Sequence, residues 1–186
     1  MSAHDEDAFR QRCLALPTTA LSDALGRLGL KFQTLASAIK PVVPGLQLAG
    51  PAFTVQCYAG ATYACELAVE QVARGQVLVI DGGGYTEAVL WGEIFSQAAQ
   101  VRGAAGTVVD GAARDVVGIR ALGYPVFARA ICPRAGTVDS LGAVGGVITC
   151  GGVTIDPGDW VVGDDDGVVV IPASRLAQAL AGAEAI

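Results

Sequence analysis

QVLVIDGGGYTEAVLWGEIFSQAAQVRGAAGTVVDGAARD (76–115) is the stretch that decides the fold. Two short apolar runs, 76–81 and 106–110, are rich in Val and each ends in Asp. Runs of this length without polar alternation suit strands buried on both faces, as in a parallel sheet. Between them, 92–102 reads as a helix. Another helix starts near Arg114 and ends near Gly123, and PVFARA (125–130) is a third strand. This strand–helix alternation argues for an α/β fold whose central sheet contains parallel strands.

Working outward, 5–16 reads as a helix ended by Pro17. A second helix, 18–28, is capped by Thr18 and stopped by Gly29. Residues 46–50 form a turn region, 52–58 a strand rich in Phe, Val and Thr, and 62–74 a helix. After residue 135 the pattern changes. VGGVITCGGVTI (144–155) and DWVVGDDDGVVVIP (159–172) read as C-terminal antiparallel hairpins added to the core, and 173–183 as a closing helix. With no linker, low-complexity tract or internal repeat, residues 1–186 read as a single domain.

Hydrophobic residues make up 52% of the chain and charged residues 16%, which excludes disorder. So apolar a chain is expected to bury part of its surface in a homo-oligomer. The net charge of −6 and the absence of a basic patch give nucleic-acid binding no electrostatic support. The N-terminal MSAHDEDAF is acidic and lacks a basic-then-apolar signal pattern. No run reaches the roughly 18 apolar residues that span a bilayer. These features lead us to expect a cytoplasmic protein without a membrane partner. Cys13, Cys57, Cys65, Cys132 and Cys150 form no CxxC pair, so buried reduced thiols are expected.

In α/β sheets ligands gather where strands end and helices begin, and helix N-termini favour anions. Two such junctions are chemically loaded. One leads through DGGG to WGEIF and places Glu93 in a helix's first turn; the other leads through GAA to Arg114 and Asp115, again in a first turn. On parallel neighbouring strands, Glu93 and Asp115 would face one cavity with Arg114 beside them. Two carboxylates suit a hard cation such as Mg²⁺ or Mn²⁺, and Arg114 suits a bidentate grip on a carboxylate or keto acid. The pattern leaves a second reading open. Acidic residues in a first turn also simply complement the helix dipole, and Arg-Asp pairs occur on ordinary surfaces. Asp81 and Asp110, at strand ends, read as turn residues.

Absences narrow the chemistry. The one histidine, His4, lies in an N-terminus expected to be mobile, which disfavours a Ser-His-Asp triad or a multi-histidine zinc site. Lys31 and Lys40 lie in no apolar run that would depress a lysine pKa for Schiff-base chemistry. No Walker loop is present, and no GxGxxG opens a helix after a strand. Oxygen-ligated metal with arginine assistance is what remains.

LSDALGRLG (21–29), LAGPAFTVQC (48–57), GQVLVIDGGG (75–84), WGEIFSQAA (91–99), GTVVDGAARDVVGIRALGYPVFAR (106–129) and GDDDGVVVIP (163–172) together resemble the RraA-like family. That family includes metal-dependent 4-hydroxy-4-methyl-2-oxoglutarate aldolases, which also decarboxylate oxaloacetate, and regulators of ribonuclease E activity. The most specific element is an acidic residue, twenty intervening residues and Arg-Asp, which Glu93, 94–113 and Arg114-Asp115 meet. The resemblance implies a layered αββα-type sandwich, and trimers or hexamers with interfacial active sites. It implies that Asp115 ligates Mg²⁺ or another divalent cation and that Glu93 holds water on the metal or helps transfer a proton. Arg114 would bind the oxo acid and stabilise an enolate. The segment Gly92, Glu93, Ile94 and Phe95 would bind substrate, with the Ile94 and Phe95 amides on its carboxylate.

The sequence also departs from the family pattern. Aldolase members usually continue further and bring a C-terminal acidic residue to the metal waters; here Glu184 is the one late candidate. The 164–166 aspartates could substitute, although an exposed acidic turn is their simpler reading. YAGATYAC (58–65) lacks the acidic or amide residue expected near GDN in relatives. The leading expectation is a divalent-metal-dependent pyruvate aldolase and oxaloacetate decarboxylase acting on a small oxo acid. The alternatives are a non-catalytic regulator that binds a ribonuclease and a small-carboxylate binding protein. The regulators tend to lose the acidic residue after the arginine, and Asp115 is present.

Overall fold

The computed structural model describes residues 3–186; residues 1 and 2, which begin the acidic N-terminal stretch and the expected domain, lie outside the described residues. Two helices come first, α1 (Ala3–Leu14) and α2 (Thr18–Arg27), separated by Pro17. His4 lies in the first turn of α1. A two-residue strand β1 (Lys40–Pro41) precedes the long β2 (Leu48–Gln56). Then follow α3 (Tyr63–Gln71), β3 (Val77–Asp81), β4 (Val89–Trp91), α4 (Glu93–Arg102), β5 (Gly106–Ala113), α5 (Val116–Leu122) and β6 (Val126–Ile131). The C-terminal part holds β7 (Ala143–Val144), β8 (Ile148–Cys150), β9 (Val153–Ile155), β10 (Trp160–Asp164), β11 (Gly167–Ile171), a 3₁₀ turn (Ala173–Arg175) and α6 (Leu176–Glu184).

The α/β expectation holds. Strands β6, β5, β3 and β2 are parallel neighbours. Two strands extend or add to the expected pattern: β5 runs three residues beyond Asp110, and β4, too short to show a pattern, pairs in parallel with its end. The hairpin β8–β9 stands apart as a two-stranded sheet, whereas β10–β11 continues the main sheet through β2. The second hairpin is therefore part of the sheet and not an addition to it. Both of its strands are buried along nearly their whole length, which explains the unbroken apolar GVVVI.

β2 pairs in two ways. Leu48 to Pro51 run antiparallel to β10, while Ala52 to Gln56 run parallel to β3. At the far edges the chain almost closes the sheet. Leu35 N–H donates to Val168 O and Val170 N–H to Gln33 O, while Lys40 and Pro41 pair with β6.

Side chains alternate across this curled sheet. Val77, Val79, Val108, Phe127, Val161, Val168 and Val170 point inward, where Ile148, Cys150, Val153 and Ile155 of the β8–β9 hairpin fill the interior. Outward, Leu78, Ile80, Val109 and Ala128 pack on Cys65, Ala68, Ala99 and Ile119 of α3, α4 and α5. On the other half, Trp160, Val162, Val169 and Ile171 pack on Leu21, Leu25, Leu176 and Leu180 of α2 and α6. Helices, two halves of one sheet and helices again give the layered αββα order. Among the described residues no helix is long and apolar enough to cross a membrane.

Candidate active site

Because β4 and β5 are parallel, their C-terminal ends lie side by side, with Trp91 opposite Ala113. Each strand hands over to a helix. Beyond β4 the chain turns at Gly92 into α4; beyond β5 it passes Arg114 and Asp115 into α5. Arg114 N–H donates to Trp91 O at 3.0 Å and ties the two turns together. A second tie lies beneath: Trp91 Nε1 donates to Ser96 Oγ, and Ser96 Oγ donates to Gly92 O, both at 2.9 Å. All three residues are buried, so these bonds fix the start of α4.

Asp115 carries the one unusual backbone here. With φ 61° and ψ 42° it is the only non-glycine residue in the left-handed region among the described residues. Asp tolerates this conformation better than most residues, yet it still costs about 1 kcal/mol. An N-cap Asp in the usual extended conformation would cap its own helix. Asp115 makes no such bond to α5. Its Oδ2 instead lies 3.3 Å from Glu93 N–H and 3.3 Å from Arg114 Nε. Sequence placed Arg114 and Asp115 in a first helical turn; the longer β5 puts them before α5, which begins at Val116.

Gly92 permits this approach. A Cβ there would lie 2.7 Å from Asp115 Oδ2 and 3.3 Å from Arg114 Cγ. Its φ of −158° is ordinary extended backbone, so space and not conformation demands glycine.

These turns line a cavity of about 290 Å³. Gly92, Ile94, Phe95, Arg114 and Asp115 are brought together there, with Val89, Leu90 and Trp91 as its apolar wall. The amides of Ile94 and Phe95 belong to the first turn of α4, where a helix has no internal acceptors and carries partial positive charge. The Glu93 carboxylate faces elsewhere. It lies against α5, close enough that a Cβ on Gly118 would be 2.2 Å from its Cδ. The expected shared cavity is thus lined by Asp115 but not by Glu93, whose part there is its N–H, 3.3 Å from Asp115 Oδ2. Arg114 and Asp115 also border a second cavity of about 300 Å³, with Val116, Ile131, Cys132 and Pro133.

Sequence reasoning missed Thr62, Glu66, Ala135 and Gly136, which line the first cavity. Glu66 follows directly on YAGATYAC, in the first turn of α3. Its signal was an acidic residue at a third strand–helix junction, after β2, the parallel neighbour of β3.

A family model described as "RraA-like: Aldolase/RraA" matches residues 18–170. The chain belongs to the RraA-like family. Over 160 residues it is 41% identical to a protein of Halalkalibacterium halodurans named "Putative 4-hydroxy-4-methyl-2-oxoglutarate aldolase", covering 86% of this chain and 74% of that one. An uncharacterised Pseudomonas syringae protein of known structure matches with a TM-score of 0.86 and 34% identity, over 96% of this chain and 86% of that one. The RNA-processing inhibitor RraA from Thermus thermophilis matches with a TM-score of 0.74 and 29% identity, over 84% and 92%.

Five other acidic residues of this RraA-like protein, Asp81, Asp110, Asp164, Asp165 and Glu184, are committed to structure. Asp110 is buried within β5 rather than exposed in a turn: Oδ1 accepts from Arg129 Nε at 2.5 Å and Oδ2 from Gly151 N–H at 2.7 Å. That hydrogen bond raises the Arg129 pKa above its ordinary value. Asp81 is a turn residue as expected, accepting from Gly83 N–H at 2.9 Å. Asp164 accepts from Thr18 N–H and Thr18 Oγ1 at 2.8 and 2.6 Å, capping α2 from across the fold, and Asp165 accepts from Gly45 N–H. Glu184 forms a two-bond pair with Arg12, whose hydrogen bond lowers the Glu184 pKa. Among the described residues no group of three or more His, Cys, Asp or Glu is arranged to hold a metal.

Proposed function

We propose that this protein is a lyase that releases pyruvate from 4-hydroxy-2-oxo acids of the 4-hydroxy-4-methyl-2-oxoglutarate type, with oxaloacetate decarboxylation as a second outcome of the same chemistry. The observation that carries this reading is the left-handed Asp115 beside Arg114 at the N-terminus of α4. Local strain at a cavity is held where the surroundings gain by it. A protein that only bound a ribonuclease would leave that backbone without a purpose.

Both reactions pass through a pyruvate enolate. Nε of Arg114 lies 3.3 Å from Asp115 Oδ2, and its terminal Nη groups suit a substrate carboxylate and the developing enolate charge. The Ile94 and Phe95 amides would hold the 1-carboxylate at the helix N-terminus. Trp91 and Phe95, whose rings lie 5.3 Å apart, form an apolar wall that excludes water from the enolate. Glu93 is exposed, and rotating its side chain away from Gly118 would let it transfer the C4 hydroxyl proton.

The donor set suits one kind of cofactor. Asp115, the cavity carboxylate beside Arg114, fits Mg²⁺ or Mn²⁺, which bind through one or two carboxylates and keep waters. Bound at Asp115, such a cation would supply a Lewis acid for the enolate oxygen. We also propose a homo-oligomer, trimer or hexamer. Ile94 and Val117, on either side of the Arg114–Asp115 turn, are 77% and 78% exposed, apolar surface that a neighbouring copy would cover.

The test is pyruvate release from both substrates with Mg²⁺ or Mn²⁺ and then with EDTA. Metal-dependent release is expected. Release at the uncatalysed rate under every condition would sink the lyase reading. Light scattering on the purified protein checks the assembly.

A further inference from the structure

The far side of the cavity has a chemistry that neither the family match nor the proposed reaction explains. Arg114 and the α4 amides supply donors at one side. Thr62 and Glu66, at the start of α3, line the same cavity at the other end of its β4 wall: a Cβ on Gly136 would lie 2.4 Å from Val89 O and 2.9 Å from Thr62 Cγ2, whereas one on Gly92, beyond Trp91, would lie 2.7 Å from Asp115 Oδ2. Glu66 N–H is spent on Thr62 O at 3.2 Å, which sets the carboxylate one helical turn beyond Thr62. Thr62 Oγ1 donates its only proton to Thr137 O at 3.1 Å, leaving lone pairs for a ligand. An ionised Glu only accepts. The two side chains therefore offer acceptors and no donor. Glu66 joins no ion pair among the described residues.

We infer that Glu66, with Thr62, makes the site select oxo acids whose distal end is a hydroxyl or other hydrogen-bond donor, and discriminate against those ending in a second carboxylate. The inference rests on the pyruvate-forming reading for which end of the ligand meets Arg114. A distal carboxylate would meet a like charge and two acceptors. A distal hydroxyl would donate to one of them and lose nothing on leaving water. Like charges about 6 Å apart in a partly solvated cavity correspond to roughly a tenfold preference once screening is allowed for. The same argument ranks 4-hydroxy-4-methyl-2-oxoglutarate below a 4-hydroxy-2-oxo acid with an uncharged tail.

Three ligands of equal chain length isolate the effect: 2-oxoglutarate, 2-oxopentanoate and 5-hydroxy-2-oxopentanoate. Calorimetric titration of the Mg²⁺-loaded protein is expected to bind the hydroxy acid tightest and 2-oxoglutarate weakest, with about a tenfold spread between them. Glu66→Gln should erase or invert that order by strengthening 2-oxoglutarate, while Glu66→Asp should keep it. In turnover, Glu66→Gln should lower KM for dicarboxylate substrates relative to KM for hydroxyl-ended ones. A wild type that binds 2-oxoglutarate tightest, or an order that survives Glu66→Gln, overturns the inference. So does an equal collapse of kcat for every substrate in Glu66→Gln, which would make Glu66 a proton-transfer group. If the binding order appears as stated while no substrate releases pyruvate, the lyase reading fails and the selectivity stands.

Discussion

Two acidic regions of the molecule differ in what their carboxylates hold. In the 164–166 turn, Asp164 takes two bonds from Thr18 and one from Asp166 N–H, and Asp165 takes one from Gly45 N–H. Those bonds cap α2 and fasten β10–β11 to distant chain. Around the cavity, Asp115 shares 3.3 Å contacts only with the adjoining turn, and Glu66 joins no ion pair among the described residues. One set of charges is consumed by the fold. The other is held at the surface of a cavity, partly at the fold's expense, and such charges are the ones available for chemistry.

The sharpest way to break this contrast is to neutralise one residue from each set. Asp115→Asn, which keeps a side chain tolerant of the left-handed backbone, should lower kcat/KM for pyruvate release by about 10²–10³ with unchanged thermal stability. Asp164→Ala should leave kcat/KM within about twofold and lower stability by about 1–2 kcal/mol in urea unfolding. If both variants lost activity alike, the division would be wrong.

Asp110 extends the structural set into the interior. Asp110→Ala would strand Arg129 and the Gly151 N–H, and is expected to cost about 2–4 kcal/mol in the same unfolding experiment. Gly92→Ala tests the opposite set. Its Cβ would push on Asp115 Oδ2 without burying a polar group. About a tenfold fall in kcat/KM with less than about 1 kcal/mol of stability lost is the expected outcome.

The smallest effect is a pH dependence of the structural side. Cys13, packed in the helical layer that Asp164 caps, has its thiol pushed by burial from 9.0 up to about 12. A folded pKa above the unfolded one means the stabilisation is complete below pH 9 and is lost as pH rises toward 12. Thermal scans from pH 8 to 11 should show Tm falling above pH 9, and Cys13→Ala should lessen that fall without removing it, because Cys65, Cys150 and Tyr124 are also raised by their buried surroundings.

The parallel core was legible because 77–80, 106–109 and 126–128 are buried on both faces and so carry mostly apolar runs. β4 was not, since VLW is three residues long and gains its pairing only when β5 extends past Asp110. The spacing from Glu93 to Arg114-Asp115 brought the right turns together, but spacing says nothing about φ. Asp at a helix start looks like an ordinary cap, and only the fold shows Asp115 turned toward α4. Glu66 escaped notice for a different reason. Its place on the cavity depends on Ala135 and Gly136, which pack beside Thr62 and share the lining, a contact between distant parts of the chain that no local pattern encodes.

The divided pairing of β2 has a consequence for how a ligand gets in. One continuous strand is bonded to β10 over its first residues and to β3 over its last, so the halves of the sheet share a backbone and have no hinge between them. Opening by parting the two halves would tear that strand from a partner. The chain between β6 and β7, which carries Ala135 and Gly136, is fastened as well: Val89 N–H donates to Arg134 O, Thr62 N–H to Thr137 O and Thr137 N–H to Gly60 O. The rim of the cavity is thus stitched to β4 and to the start of α3, and a ligand meets a wall that backbone hydrogen bonds already hold in place.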